Sequence, residues 1–320
     1  MALNYTALTA LTRKKYIPKL IDSIFDSTPL LAFLKDKQEM YSGGYKIFQP
    51  LIYDDIAGIK SYSNYDLMEY DTTIPITAAE FEPKNIAATC IISKDEEFKN
   101  SGEDQILSLL SSKMKIVEAS LKKAMTTQLL GDGTGNSSKD ITGLDALFSA
   151  TNVYGGISRT DYSWWRPQQD TNGSNRTLTE KLMLDAFLSA TDGNDKPTMI
   201  LTSLEGWKQY YLLMKSRVTI MTNGVRKAMN LGFQTLEFQG VPVMYDLALD
   251  GSTEVKFYFL NMNYLALKTH NKANFTPTKW RPDDSRLAMK QEILWTGNLV
   301  CSNCRRMASL EDIDPAGITS

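Results

Sequence analysis

The sequence is poor in the residues that catalytic and metal-binding schemes most often require. It holds one histidine, His270, and three cysteines, Cys90, Cys301 and Cys304, in 320 residues. Any Ser-His-Asp or Cys-His arrangement must therefore use His270, in the run LKTHNKANF, and no Gly-x-Ser-x-Gly elbow accompanies it. A structural zinc site would have to gather all three cysteines and that histidine. Three unevenly spaced cysteines also make no disulfide framework, which fits a reducing compartment. Nowhere do 18 apolar residues follow one another, so no membrane-spanning helix is expected. The opening MALNYTALTALTRKKYIPKL puts its apolar run before the basic cluster, the reverse of a secretory leader, and no signal peptide is expected. An excess of one charge is missing too. With 35 Lys and Arg against 37 Asp and Glu, the formal net charge of -2 gives no overall positive field to gather nucleic acid.

The short motifs that remain are weak in chemistry. GDGTGNSSKD, residues 131–140, follows a helical pattern and lacks the Gly-Lys-Ser/Thr of a phosphate cradle and the terminal glutamate of a calcium loop. It reads as a helix stop and a connection. Cys301 and Cys304 have the spacing of zinc ligands or a redox pair, but CSNC follows an apolar strand pattern instead of opening a helix, so buried or incidental thiols are the simpler reading. Asp54 with Asp55, and Asp283 with Asp284, are adjacent doublets, not the separated carboxylates of an acid and base pair. Arg13, Lys14, Lys15, Arg305 and Arg306 allow weak, nonspecific phosphate contact and no base reading. No catalytic, cofactor-binding or metal-binding residue is nominated, and no enzymatic activity is expected.

What the chain does contain is ordered architecture of the α+β class. Hydrophobic residues make up 42% of it, enough for an ordinary core. Residues 1–42 read as an arm. Leu20, Ile24, Leu30, Leu31 and Leu34 fall at helical spacings, with Pro18 and Pro29 limiting each piece to a short helix. Such an arm must lie on the body or on a neighbouring chain. Residues 43–93 read as two long strands joined by an extended polar loop, an edge or projecting hairpin because Pro50, Pro75 and Pro83 do not suit central strands. Within residues 94–142 a helix is predicted from a Ser101/Asp104 capping box to Gly131, roughly 40 Å long at 1.5 Å per residue. Ile106, Leu109, Leu110, Met114, Val117, Leu121, Ala124 and Leu129 make its apolar face.

Residues 143–251 alternate further. TLTEKLMLDAFLSAT predicts a helix after Thr177 or Thr179, PTMILTS a buried strand, LEGWKQYYLLMKS a helix, and LEFQGVPVMYD two strands about a Gly-Val-Pro turn. Residues 252–310 return to long strand-like segments, and residues 311–320 read as a loose polar tail. One loop stands out. VYGGISRTDYSWWRPQ, residues 153–168, crowds paired glycines, paired tryptophans and two arginines together. Adjacent tryptophans in extended chain face opposite ways, so one packs inward and the other meets a neighbouring loop or chain. The glycines allow a tight bend, and Arg159 and Arg166 suit bidentate carboxylate partners. Tyr154, Arg159, Trp164, Trp165 and Arg166 are accordingly candidate structural or intersubunit contacts, a brace between the long-helix side and residues 143–251.

The order of these elements resembles the major capsid protein of tailed bacteriophages, of the Hong Kong 97-like fold. The resemblance covers residues 45–310 and rests on the arm segment YIPKLIDSIFDSTPLLAFL, the hairpin, IISKDEEFKNSG before the long helix, GDGTGNSSKDITGLDAL, YGGISR with a tryptophan close behind, PTMILTS, LEFQGVPVMYD, FLNMNYLALKTH and ILWTGNLVCSNCRRMASL. It implies an N-terminal arm (1–42) over an adjacent subunit and an extended loop (43–93) across its neighbour. It further implies a peripheral domain with a spine helix (94–142), return strands (252–310) and an axial domain (143–251). Hexamers and pentamers would close an icosahedral shell around double-stranded DNA, contacted weakly. The implied partners are a separate scaffolding protein, a portal and decoration proteins, in a virion capsid assembled in the bacterial cytoplasm, without a cofactor and without a membrane. The same fold builds encapsulin nanocompartments, and a soluble enzyme or binding domain is the third alternative.

Overall fold

The computed structural model describes residues 16–25, 28–54, 61–67, 75–99, 103–214, 236–251 and 253–317. The chain enters through two short helices, α1 (Ile17–Phe25) and α2 (Pro29–Lys35), and a strand, β1 (Gln38–Tyr41). Pro29 begins α2, where its missing N–H costs nothing. Next come a hairpin of β2 (Ile47–Ile52) and β3 (Ile76–Phe81), then β4 (Lys84–Ser93), α3 (Lys94–Lys99) and the long helix α4 (Glu103–Leu130). α5 (Leu144–Phe148), β5 (Val153–Tyr154), β6 (Ile157–Ser158) and β7 (Gln168–Asp170) follow. After α6 (Glu180–Ser189) come β8 (Met199–Thr202), α7 (Leu204–Met214), β9 (Leu236–Phe238) and β10 (Val241–Tyr245). The chain ends through β11 (Val255–Leu260), β12 (Leu265–His270), β13 (Thr276–Pro277), β14 (Arg281–Pro282), β15 (Ala288–Cys301) and β16 (Ala308–Ile313).

Two six-stranded sheets organise these elements. In the first, β15 is the axis: β4 runs antiparallel along one edge, while β12, β13 and β14 share the other, and β1 extends β12 in parallel. The second has the order β7-β16-β11-β8-β10-β9. α4 keeps Leu110, Met114, Val117, Leu121 and Leu129 buried, as its periodicity predicts, and adds Met125. Leu109 and Ala124 are half-buried, and Ile116 faces solvent. The side chain of Ile106 and the Ser101 cap lie outside the described residues. The arm helices settle on the chain's own body. Ile17, Leu20, Ile24, Leu30, Leu31 and Leu34 join one core with α4 and the first sheet, so this part of the arm does not cross to another subunit.

Four further expectations are corrected. Residues 84–93 belong to the first sheet, not to the projecting loop: ten consecutive residues of β4 pair with β15, because Pro83 ends the hairpin and frees the next strand to turn away. Residues 255–260 and 308–313 belong to the second sheet, so the return strands of 252–310 are shared between sheets. The expected loose tail is a strand as far as Ile313, with Leu310 and Ile313 buried; a left-handed Asp312 (φ 58°) breaks the alternation that would have revealed it. The turn between β9 and β10 is Gln239–Gly240, both at positive φ, which suits a tight hairpin, and Val241–Pro242 start the next strand.

Pro50 fits its strand for a simple reason. The bond from Tyr53 N to Pro75 O fixes the alternation, which leaves Pro50 and Ala78 a non-hydrogen-bonded pair needing no N–H. Gly143 is equally constrained. It joins the end of α4 to the second half of the chain, and an added Cβ would sit 2.5 Å from the carbonyl oxygens of Gln128, Leu129 and Gly131. Gly143→Ala is therefore expected to lose about 2–3 kcal/mol by overpacking. Gly251→Ala, in open space at φ 88°, is expected to lose only the backbone cost of about 1–2 kcal/mol. Urea unfolding of both variants checks the difference.

Candidate functional site

The tryptophan loop forms at the root of the β2–β3 hairpin. Gly155 (φ 58°) and Gly156 (φ 74°) close β5 onto β6 in a tight turn that side chains resist. Gly155 also faces β3 so closely that a Cβ there would lie 2.8 Å from Ala79 Cβ and 2.9 Å from the Phe81 ring. Its carbonyl accepts from Glu80 N at 2.8 Å, so the turn continues the edge of β3.

The two tryptophans divide, one inward and one against another loop. Trp165 is buried, and its Nε1 donates to Tyr154 O at 2.9 Å. Tyr154 is buried beside it and packs edge-on against Phe81, centroids 5.1 Å apart. Burial raises the Tyr154 hydroxyl well above its ordinary value, so it stays protonated. Trp164 is half-buried and stacks on Tyr53, at the end of β2, with centroids 5.4 Å apart and planes at 27°. The hairpin is thus clamped by Trp164 on one side and by Tyr154 on the other.

The arginines differ from expectation. Neither finds a carboxylate among the described residues. Arg159 is wholly buried; its Nη1 donates to Ala146 O at 2.9 Å and to Ser149 O, and its Nη2 to Cys304 Sγ at 3.4 Å. The guanidinium carbon also lies 4.6 Å from the Tyr154 ring centroid. The physical reason is α5, a short helix whose last carbonyls need donors that the chain beyond Phe148 does not supply. Arg166 staples its own loop, donating from Nε to Arg159 O and from Nη2 to Thr160 O at 2.8 Å.

Sequence reasoning missed the partners. Tyr53, Cys304 and the α5 carbonyls gave no local signal, nor did Asn298, a buried residue of β15. Asn298 accepts from Thr142 N at 3.0 Å and donates to Glu82 O at 2.9 Å, tying the hairpin exit to the connection after α4. The hypothetical zinc set does not meet. Cys90 lies opposite Gln291 and Cys301 opposite Leu265, ten residues apart along β15, about 33 Å at strand rise. His270 packs edge-on against Tyr41 and accepts from Lys272 N at 3.2 Å. Around the loop the described residues offer packing and hydrogen bonding.

The hairpin's outer face is different in kind. Phe48 (58% exposed), Ile52 (80%) and Ile76 (59%) stand in cross-strand positions with Pro50 and Ala78 between them. Their neighbours Ile47, Leu51, Ala79 and Phe81 fill the inner face.

Solved structures share this arrangement from end to end. A chain of the cyanophage A-1(L) capsid asymmetric unit is 20% identical over 97% of this chain and 99% of its own, with a TM-score of 0.68. The chain has the Hong Kong 97-like fold. A chain from the capsid of the native GTA particle matches at 13% identity over 88% and 90%, TM-score 0.58. The holo-SrpI encapsulin complex from Synechococcus elongatus PCC 7942 matches at 11% over 100% and 99%, TM-score 0.56. At these identities the likeness is one of fold. No protein-family model and no curated protein matches the sequence.

Within this fold, Trp165→Ala is expected to cost about 3–5 kcal/mol in urea unfolding, while half-buried Trp164→Ala costs about 1–2 kcal/mol. Arg159→Met, which leaves two buried carbonyls short of donors, is expected to cost about 2–4 kcal/mol.

Proposed function

We propose that the chain is a structural shell subunit, a major capsid protein that closes as hexamers and pentamers into an icosahedral shell around double-stranded DNA. The observation that carries this reading is the apolar outer face of a two-stranded hairpin. Two strands alone are marginal in water, and Phe48, Pro50, Ile52, Ile76 and Ala78 form a contiguous patch that another copy would cover. In this reading α4 and the first sheet are the peripheral domain, and the second sheet is the axial domain. The tryptophan loop sets the angle at which the hairpin leaves its own subunit. A scaffolding protein, portal and decoration proteins are the further partners, and the setting is a virion. The fold likeness to the cyanophage capsid and the GTA capsid supports the shell role. A second reading, a cellular compartment shell, is supported by the likeness to the encapsulin complex.

Expression of the chain, with a scaffolding partner where one is found, is expected to give closed particles in light scattering and electron microscopy. Monomers under every such condition would defeat the shell reading. A tail or packaged DNA on native particles separates virion from compartment; enclosed protein cargo without DNA favours the compartment.

The double variant Phe48→Lys/Ile52→Lys is expected to abolish particles while changing subunit stability by no more than about 0.5–1 kcal/mol, since both side chains face solvent in the subunit. Wild-type particle yield from it would remove the hairpin from the interface. The isolated subunit is expected to hold DNA only weakly and to release it between about 50 and 200 mM salt, as few phosphate contacts without net positive charge require. A filter-binding titration at both salts reads the result, and salt-resistant retention would contradict the weak-contact claim.

A further inference from the structure

The hairpin carries a third strand that its own chain begins and abandons. β2 and β3 pair so that the N–H and C=O groups of Thr77 and Ala79 face β2, while those of Ile76, Ala78 and Glu80 face the other way, along the open edge of β3. One of these edge groups is used. Glu80 N donates to Gly155 O at 2.8 Å, just past β5, and there the positive-φ pair Gly155–Gly156 turns the chain back into β6. From Glu80 the edge runs on through Ala78 to Ile76, about 13 Å at strand rise. Among the described residues no hydrogen bond reaches the main chain of Ala78 or Ile76 across it.

Space for a strand lies beside that edge. A groove of about 640 Å³ runs between β3, from Ile76 to Glu80, and the tryptophan loop, whose Gly155–Gly156 turn, Tyr162 and Trp164 form the facing wall. Its volume is that of a ligand cleft. Among the described residues its one charged lining side chain, Glu80, is paired with Lys46, so the groove suits an uncharged extended backbone. The edge is also unguarded. Strand edges meant to stay open are blunted by charge, proline or a bulge, and from Ile76 to Ala79 β3 has none of these.

We propose that this groove takes an extended segment of a second copy of the chain, which adds a third strand to the hairpin along β3. The occupant rests on the shell role proposed above, and the groove is where main-chain bonds would hold the neighbour. Two features single out a second copy. Ile76 and Ala78 belong to this edge through their main chain and, through their side chains, to the apolar outer face that another copy covers, so groove and face are one continuous surface. A strand laid on the edge sends alternate side chains onto that same face, so one extended segment meets both. The added strand also takes the hairpin past the two-strand limit at which it is marginal in water.

Ala78 stands opposite Pro50, and its N–H is not used inside the hairpin. Ala78→Pro therefore deletes an edge donor while leaving the β2–β3 bonds in place, and Ala78→Ser keeps the donor. The full chains are assembled under the conditions that give wild-type particles. Ala78→Pro is expected to lower particle yield at least about tenfold with the subunit's urea midpoint unchanged, and Ala78→Ser to assemble as wild type does. Hydrogen exchange, read by mass spectrometry at single amides, is expected to be at least about a hundredfold slower at Ile76 and Ala78 in wild-type particles than in subunits. The slowing at Phe48 and Ile52, whose N–H groups face the open edge of β2, is expected to be at least about tenfold smaller.

Wild-type yield from a stably folded Ala78→Pro, unslowed Ile76 and Ala78 amides in particles, or equal slowing at all four residues would overturn the proposal and leave the shell role standing. A wild-type chain that never assembles would defeat the shell role and, with it, the second copy as occupant. Slowing of Ile76 and Ala78 only when another protein is added would give the groove to that protein and overturn the proposal as well. Should Ala78→Pro fail to fold, the amide ratio in wild-type particles decides alone.

Discussion

The fold depends on one backbone ladder, the antiparallel pairing of β4 with β15. Its ten residue pairs join positions some 200 residues apart in sequence, from Lys84 with Gly297 to Ser93 with Ala288. β4 pairs there directly after the hairpin and leads directly into α3 and α4, so that ladder fixes the root of the projecting element and the start of the long helix together. The same β15 then turns at Ser302 into β16, at the heart of the second sheet. Misplacing β15 by one residue would turn Ile293, Trp295 and Leu299 away from the core and displace the second sheet with them. Loop-closure entropy rises only slowly with length, so so distant a pairing is affordable in stability. It is slow to form, which places the completion of both sheets after the synthesis of the last hundred residues.

Around this ladder, buried polar groups occupy the seams between elements. Arg159 spans from the carbonyls of α5 to the sulfur of Cys304, and Asn298 spans from Glu82 to Thr142. Buried Asn261 donates from Nδ2 to half-buried Asp195 at 2.7 Å, and Asp195 also accepts from the Tyr264 hydroxyl at 2.6 Å, holding the turn that leads from β11 to β12. Each joins segments that cross from one sheet to the other or enter the hairpin. Apolar packing tolerates small slips at such seams, while a hydrogen bond in a low-dielectric interior does not. The polar seams therefore set orientation where the apolar cores supply cohesion.

Periodicity made much of this legible. The face of α4, the buried β8, the Thr179 cap that accepts from Leu182 N at 3.3 Å, and the strands at 255–260 and 265–270 all follow from local pattern. Membership of a sheet does not. β4 and β3 have similar compositions, and only a partner two hundred residues away distinguishes the sheet strand from the hairpin strand. β16 was hidden by Glu311, Asp312 and Asp314, charges that read as tail although Leu310 and Ile313 beside them are buried. Arg159 shows the limit at a single residue. Its neighbourhood is conspicuous through Gly155, Gly156 and the tryptophans, but an arginine is expected at a surface or against a carboxylate, and the orphan carbonyls that draw it inward belong to a helix ten residues earlier.

The hairpin joins these levels. Its inner face is spent on the subunit's own core through Ile47, Leu51, Ala79 and Phe81; Glu80 on Gly155 holds its root, and Tyr53 on Trp164 holds it where the strands meet their connecting loop. Its outer face carries Phe48, Ile52 and Ile76, each more than half exposed in the subunit. A strand pair with one face so used cannot turn over to hide the other, because the alternation that buries Leu51 must expose Ile52. The rigid root thus forbids the rearrangement by which a free hairpin would cover its own apolar surface. Under the proposed shell role, contact with another copy removes that surface from water, and the fixed root gives such contact a direction.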